Sequence, residues 1–96
     1  MIQFPFSITG PTQTLSAAVG SSSVSLTAGL RCIRVYNSGA NIVFIRIGGA
    51  GTTATVADVP VPPGGVEVFS IGNATVIAGI TATGTSSVYV TQGEGA

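Results

Sequence analysis

Residues 30–48 constrain the fold of this chain more than any other stretch. They comprise two runs rich in β-branched and aromatic residues, 30–37 and 41–48, on either side of Ser38-Gly39-Ala40. Two such runs around a Ser-Gly turn signal predict a β-hairpin with a three-residue loop. The register that keeps its two faces chemically pure pairs Asn37 with Asn41, Val35 with Val43 and Ile33 with Ile45.

The two faces of this predicted hairpin differ in character. One is apolar, with Arg31 at its margin, and contains Ile33, Val35, Val43, Ile45 and Ile47. The other mixes aromatic, aliphatic and basic side chains: Cys32, Arg34, Tyr36, Ile42, Phe44 and Arg46. A loop one residue longer would place Ile33 opposite Arg46 and bring charge into the apolar face, so we expect the three-residue loop.

The mixed face is a candidate interaction surface. In the expected register Arg34 lies opposite Phe44, where a guanidinium stacked on the ring contributes about 0.5–1 kcal/mol. Aromatic side chains and arginine are also enriched in the cores of protein–protein interfaces. Two interpretations stay open at this point. The face is either a second, partly buried face within one monomer or a subunit interface.

Ionisable residues are scarce. The chain has 96 residues, enough for one domain, and contains three arginines and three acidic residues but no lysine or histidine. Charged residues make up 6% of the chain, against about 25% in ordinary soluble domains. A chain with zero formal net charge has little electrostatic protection against association. We therefore expect it to bury much of its surface against other subunits.

The same scarcity excludes several kinds of partner. Three arginines balanced by three acids form no basic patch for phosphates or anionic lipids, so we expect no nucleic-acid and no membrane partner. Apolar runs such as 42–45 are far shorter than the ~20 residues of a membrane-spanning helix, and no secretory signal is apparent. The single cysteine, Cys32, is expected to be a buried thiol, with an intersubunit disulfide or a reactive thiol as alternatives.

The chain divides into an N-terminal arm, residues 1–12, and a β-sandwich domain, residues 13–96. Prolines at positions 5 and 11 oppose a helix in the arm, and Gly10-Pro11 indicates a break. The arm contains two of the four phenylalanines, Phe4 and Phe6. We expect these rings to pack across the end of the domain or on a neighbouring subunit.

Outside the hairpin, short alternating runs separated by glycine, proline and polar residues predict further strands. They cover residues 13–19, 21–27, 54–59, 66–71, 75–80 and 87–91. Three prolines place residues 59–65 in a loop or on an unpaired edge, and residues 92–96 are expected to be a polar tail. About eight short antiparallel strands favour an all-β fold, a single jelly-roll-like β-sandwich.

The predicted strand 66–71 has one face with a charge in it. Val66 and Val68 point to one side, and Glu67 points to the other together with Phe69 and Ile71. We expect Glu67 to be the partner of Arg34 or Arg46.

Groups that could support catalysis are few. Without histidine or lysine, no base is available to activate a serine or threonine nucleophile, and one cysteine is too few for a zinc site. Asp58 and Glu67 form a conceivable glycosidase pair, but nothing in their spacing requires it. The glycine-rich residues 49–53 lack the lysine and the helix of a phosphate-binding loop. We therefore expect a non-enzyme with no cofactor and no metal site.

Four segments, taken in order, carry a resemblance to a known group of proteins. They read RVYNSG at 34–39, VFIRIG at 43–48, DVPVPPGGVEVF at 58–69 and VYVTQGEG at 88–95. In the composition and order of these segments, the chain resembles the small β-rich virion structural proteins of tailed bacteriophages. The resemblance implies a capsid decoration or cement protein with a jelly-roll-like sandwich that acts as a dimer or trimer. Head-to-tail connector, neck and tail proteins share this composition and pattern. No catalytic residues carry over.

The leading hypothesis is therefore a homo-oligomeric decoration protein that binds the major capsid protein on the capsid surface of the virion, after assembly in the host cytoplasm. The residues expected in subunit or capsid contacts are Phe4, Phe6, Arg34, Tyr36, Phe44, Arg46 and Glu67. A carbohydrate- or receptor-binding module on the virion surface is the rival from another class, but the chain has no tryptophan and only two tyrosines. A small hydrolase using Asp58 or Glu67 is the third hypothesis.

Overall fold

The computed structural model describes residues 7–27 and 30–94, and within them the chain forms eight β-strands and no helix. The strands are β1 (Ser7–Ala17), β2 (Ser22–Ser25), β3 (Cys32–Asn37), β4 (Val43–Gly48), β5 (Val59–Val61), β6 (Val66–Ser70), β7 (Val76–Thr81) and β8 (Ser86–Glu94). The prediction of an all-β chain with about eight short strands is confirmed. The jelly-roll connectivity remains a prediction.

The strands form two four-stranded sheets with a common core between them. Sheet A has the order β1-β8-β3-β6 and sheet B the order β2-β7-β4-β5, and neighbouring strands are antiparallel. Because successive side chains of a strand point to opposite faces, each strand contributes alternate residues to the core. The most deeply buried of these are Leu15, Ile33, Val35, Val43, Ile45, Val61, Ile77, Val88 and Val90.

The predicted hairpin between residues 30–37 and 41–48 is wrong. β3 lies in sheet A between β8 and β6, whereas β4 lies in sheet B between β7 and β5. The apolar side of each run was predicted correctly, because alternation shows which side of a strand is buried without showing which strand lies next to it. The inward-facing residues are Ile33, Val35, Val43 and Ile45.

The side chain of Asn37 links the two sheets at the point where the chain crosses between them. Its Nδ2 donates hydrogen bonds to the carbonyl oxygens of Asn41 (2.7 Å) and Val61 (2.9 Å). Its Oδ1 accepts hydrogen bonds from Ser86 Oγ (2.6 Å) and from the Gly39 N–H (3.1 Å). Asn37 is fully buried, so these four bonds satisfy an amide that has no access to water. They connect β3 and β8 of sheet A to β5 of sheet B.

The crossing loop is held against the start of β8. The N–H and Oγ of Ser38 both donate to the carbonyl oxygen of Ser87, at 3.0 and 2.9 Å. A Cβ on Gly39 would overlap Ser86 Oγ and lie 2.8 Å from Ser86 Cα. Position 39 therefore requires glycine because of this close approach, not because it forms a hairpin turn.

The two ends of the chain contain more strand than predicted. β1 begins at Ser7, inside the predicted arm, and its register with β8 shifts between Ile8 and Thr12, where Gly10-Pro11 was expected to form a break. Residues 1–6, with Phe4 and Phe6, lie outside the described residues. The predicted polar tail is wrong at its start, because β8 continues to Glu94.

Gln92 is fully buried in this extension of β8. Its Oε1 accepts a hydrogen bond from the Thr27 N–H (2.8 Å), and its Nε2 donates one to the Thr27 carbonyl oxygen (3.0 Å). Thr27 lies after β2, outside any strand. The two bonds from Gln92 satisfy its backbone N–H and carbonyl oxygen, as a neighbouring strand would.

The proline-rich segment forms an edge strand. β5 (Val59–Val61) pairs with β4 and is the last strand of sheet B. A strand was predicted over residues 54–59 instead. Those residues form a turn up to Asp58, whose N–H donates to the Thr55 carbonyl oxygen (3.0 Å). Pro60 fits an edge because it has no N–H to donate.

We predict that Asn37→Ala lowers the free energy of unfolding by about 3 kcal/mol, because it leaves buried carbonyl and hydroxyl groups without their partners. Denaturant titration followed by circular dichroism measures this change. The control is Asn41→Ala, which removes one side-chain bond to the Thr85 carbonyl oxygen at an exposed site and is expected to lose about 1 kcal/mol or less. Equal losses for the two variants would contradict the central role of Asn37.

Candidate functional site

The outer face of sheet A brings together residues from three neighbouring strands, β8, β3 and β6. Register places Tyr36 of β3 between Tyr89 of β8 and Val66 of β6. One row along, Arg34 lies between Thr91 and Val68. Tyr36 and Arg34 belong to this face because they alternate along β3 with residues of the core.

Four side chains form an apolar surface on this face, which we call the tyrosine–valine stripe: Tyr89, Tyr36, Val66 and Val68. The rings of Tyr36 and Tyr89 are stacked, with centroids 6.2 Å apart and planes 18° from parallel. Tyr89, Val66 and Val68 are 41%, 42% and 43% exposed. Contiguous apolar side chains left in water are typical of a surface that binds a partner.

Arg34 borders the stripe and is exposed. The predicted pairing of Glu67 with Arg34 is wrong. Glu67 lies in register with Val35, a core residue, and therefore points to the opposite side of sheet A from Arg34. The predicted stacking of Arg34 on Phe44 is also wrong, because β3 and β4 are in different sheets. The only neighbours that register gives Arg34 in the described strands are Thr91 and Val68.

The outer face of sheet B holds the other predicted arginine, Arg46. Its Nη2 lies 2.9 Å from Asp58 Oδ1, and its Nε donates to the same oxygen at 3.0 Å. The second oxygen of Asp58 accepts the Thr55 N–H at 2.7 Å. The hydrogen bond from Thr55 and then the guanidinium of Arg46 lower the pKa of Asp58 below its ordinary value. Arg46 therefore pairs with Asp58, and the prediction that it pairs with Glu67 is wrong.

An open groove of about 410 Å³ lies beside Phe44 at the end of sheet B. Its lining is almost entirely apolar and consists of Ala40, Asn41, Ile42, Phe44, Pro63, Ala82 and Thr83. The Nδ2 of Asn41 already donates a hydrogen bond to the Thr85 carbonyl oxygen (2.8 Å). Small-molecule sites normally contain a few polar groups that orient the ligand. This groove instead suits an apolar side chain of a protein partner.

The predicted site residues therefore fall into two groups on opposite outer faces. Arg34 and Tyr36 lie on sheet A, and Phe44 and Arg46 lie on sheet B. Phe4 and Phe6 belong to the segment that is not described. Glu67 lies on the edge strand β6 and is exposed. The sequence did not indicate one surface on each side of the sandwich, because the predicted hairpin placed Arg34, Tyr36, Phe44 and Arg46 on a single face.

Sequence reasoning missed three members of the stripe: Tyr89, Val66 and Val68. The signal for Tyr89 was present, since Val88 and Val90 flank it and are both buried in the core. The two valines were assigned correctly to one face of their strand. What could not be read from the sequence was that β6 and β8 flank β3 and thereby bring these residues to Tyr36.

Cys32 also lies on the outer side of sheet A, where it is half-buried rather than buried as predicted. In the described part of the chain, no three histidine, cysteine or acidic side chains are close enough to hold a metal ion. Of the conceivable glycosidase pair, Asp58 lies in the turn that precedes β5 of sheet B, and Glu67 lies in β6 of sheet A. No helix among residues 7–27 and 30–94 is long and apolar enough to cross a membrane.

We predict that the lowered pKa of Asp58 makes stability depend on pH in the acid range. A carboxyl whose folded pKa is depressed contributes stability above its unfolded value, 3.8, and that contribution disappears as pH falls through the lower folded value. Wild type is therefore expected to have a higher Tm than Asp58→Asn at about pH 6, and the two Tm values are expected to converge near about pH 2. Differential scanning calorimetry over this range measures the gap.

The matched variant for this prediction is Arg46→Gln, which removes the guanidinium and leaves the Thr55 N–H in place. Because the hydrogen bond from Thr55 is the larger cause of the shift, this variant is expected to retain much of the pH-dependent gap relative to Asp58→Asn. A gap that is constant from neutral to acid pH would contradict the assignment.

Comparison of the chain with known proteins returned no similarity from which a family could be assigned. No protein-family model matches it, and neither a curated protein nor a solved structure matches it. The surfaces described above are therefore interpreted from their own geometry and chemistry.

Proposed function

We propose that this chain is a structural protein of a tailed-phage virion that decorates the capsid and stabilises contacts between neighbouring subunits. The observation that supports this most is the tyrosine–valine stripe, an exposed apolar surface on a chain that is 6% charged. The location on a phage capsid comes from the resemblance of residues 30–95 to small virion proteins.

The sandwich can contact two partners at once. The stripe lies on the outer face of sheet A and the apolar groove beside Phe44 lies on the outer face of sheet B. A protein with binding surfaces on opposite sides can connect two neighbouring subunits of a shell. Because few charges have to be desolvated, burial of apolar area at roughly 25 cal/mol per Å² is opposed by little polar desolvation.

Weak contacts suffice when they are repeated. A copy held at two places on a shell makes its second contact at a high effective concentration, which strengthens binding without any new contact. The partners in this proposal are further copies of the chain and the major capsid protein.

We predict that Tyr89→Glu weakens binding to capsid shells at least tenfold, because it places a charge in the middle of the stripe. The loss of one contact of about 1.4 kcal/mol corresponds to this factor. Shells assembled without the chain are mixed with purified wild-type or variant protein, and bound copies are counted after sedimentation. The control is Val56→Glu, which adds the same charge at another exposed valine, outside the stripe.

Three outcomes are informative. Binding that Tyr89→Glu weakens and Val56→Glu leaves unchanged supports the proposal. Equal effects of the two substitutions would show that the stripe is not the surface that binds shells. A wild-type chain that does not sediment with shells would overturn the capsid role. Quantitative mass spectrometry of virions separates the locations, since a few copies per particle indicate the neck or tail and hundreds indicate the capsid surface.

One observation favours a second candidate, a carbohydrate-binding module on the virion surface. The structure brings the two tyrosines of the chain together, stacked on an open sheet face. Aromatic side chains are what sugar-binding faces commonly expose. A glycan array that gives selective binding, abolished by Tyr36→Ala and unaffected by Val68→Ala, would support this candidate over the first.

A further inference from the structure

The free edge of β6 lies directly beside the tyrosine–valine stripe. β6 is the last strand of sheet A, and its described neighbour on the other side is β3. At the two ends of this pairing, the Asn37 N–H donates to the Gly65 carbonyl oxygen (3.0 Å) and the Ile71 N–H donates to the Arg31 carbonyl oxygen (2.8 Å). Within residues 65–71, the odd-numbered residues therefore form the hydrogen-bonded pairs with β3.

The even-numbered residues of β6 present their backbone groups to the open edge. In an antiparallel pair, hydrogen-bonded and non-hydrogen-bonded residues alternate, so the N–H and C=O groups of Val66, Val68 and Ser70 point away from β3. No strand in the described part of the chain lies on that side. The side chains of these three residues are exposed as well.

The other three sheet edges are protected. β5 contains Pro60, which cannot donate to a new strand. β1 and β2, the edges on the opposite side of the sandwich, are tied to each other where Gln13 Nε2 donates to the Ser25 carbonyl oxygen (2.6 Å). Within the described residues, β6 contains no proline and no side chain that bonds across its open edge, and its single charged residue is Glu67. An exposed apolar edge without such protection is a site for strand addition.

We propose that β6 pairs with β6 of a second copy of this chain, antiparallel and about a two-fold axis at Val68. This inference deepens the proposed function, because it rests on self-association and names the surface responsible. The paired sheets A would form one eight-stranded sheet, and the tyrosine–valine stripes of the two copies would become continuous across the axis.

Charge and hydrogen bonding select this register. Centring the axis on Val68 places Val68 against Val68 of the second copy and Val66 against Ser70 of the second copy, with about six inter-strand hydrogen bonds. Centring it on Glu67 would place two carboxylates directly opposite each other, which is destabilising. In the Val68 register, Glu67 instead faces Phe69 of the second copy.

A second copy fits this edge better than an unrelated strand for two reasons. In the proposed pair, the row of side chains through the axis runs from Arg34 to Val68 of one copy and then from Val68 to Arg34 of the second copy, so it is symmetric. Both β6 strands lie between the two guanidiniums. The chain also has zero formal net charge, so two copies approach without net repulsion. A two-fold interface requires a surface that is complementary to itself, and this row meets that requirement.

The first experiment removes the central donor of the edge. Val68→Pro deletes an N–H that does not bond to β3, whereas Val68→Thr retains the N–H and the branched side chain. Sedimentation velocity over a range of concentrations is expected to show a wild-type dimer, a similar Val68→Thr dimer and at least a tenfold weaker Val68→Pro dimer. Circular dichroism verifies that each variant retains its β-sheet signal.

The second experiment reports the register and does not depend on the fold tolerating proline. In the proposed pair the two Val68 Cα atoms are about 5.5 Å apart, within the range of a disulfide. Val68→Cys is therefore expected to form a covalent dimer on mild oxidation. Val66→Cys is not, since its two copies would be about 13 Å apart along the strands. Adding Ser70→Cys to Val66→Cys is expected to restore cross-linking.

Wild type, which retains Cys32, controls for disulfides through the native thiol. A wild-type chain that is monomeric at every concentration would overturn the inference, as would cross-linking of Val66→Cys as fast as that of Val68→Cys. These results are separable from the capsid test. A monomer that binds shells would support the proposed function and contradict the β6 interface. A Val68-dependent dimer that does not bind shells would support the interface and contradict the capsid role.

Discussion

The hydrogen bonds of the Asn37 side chain determine where the two sheets join. A buried amide has to satisfy two donors and an acceptor, and Asn37 does so only if the carbonyl oxygens of Asn41 and Val61 and the hydroxyl of Ser86 converge on it. That convergence requires the chain to leave sheet A after β3 and enter sheet B before β4. With the chain crossing here, β3 and β4 both pair with strands that are distant in sequence.

A second buried amide, Gln92, acts in a similar way on the strand β8, where it bonds to both backbone groups of Thr27. Between these two polar contacts the interior is filled with valine, leucine and isoleucine. The fold is thus stabilised from within, by a shared apolar core and by polar groups that are fully paired inside it. Its outer faces need few charges of their own, and this leaves aromatic and aliphatic side chains available on both sides.

The sequence allowed the fold class and the buried side of most strands to be predicted, since both depend on local alternation. It did not allow the pairing of β3 with β6 and β8, because register between distant strands depends on the whole core and not on the two runs around Ser38-Gly39. The site shows the same division. Tyr36 was predicted as a surface contact, but its neighbour Tyr89 is separated from it by half the chain. Asp58 was considered only for catalysis, and its contact with Arg46 depends on a turn that was predicted as strand.

The unequal edges of the two sheets have a consequence for how far such a chain can polymerise. A molecule with two open strand edges adds copies without end and grows into a fibre, which is a hazard for any sequence this poor in charge. Here Pro60 blocks one edge, and Gln13 ties two more together on the other side of the sandwich. A single open edge can pair only once, so strand addition through β6 would end at two copies instead of continuing into a fibre.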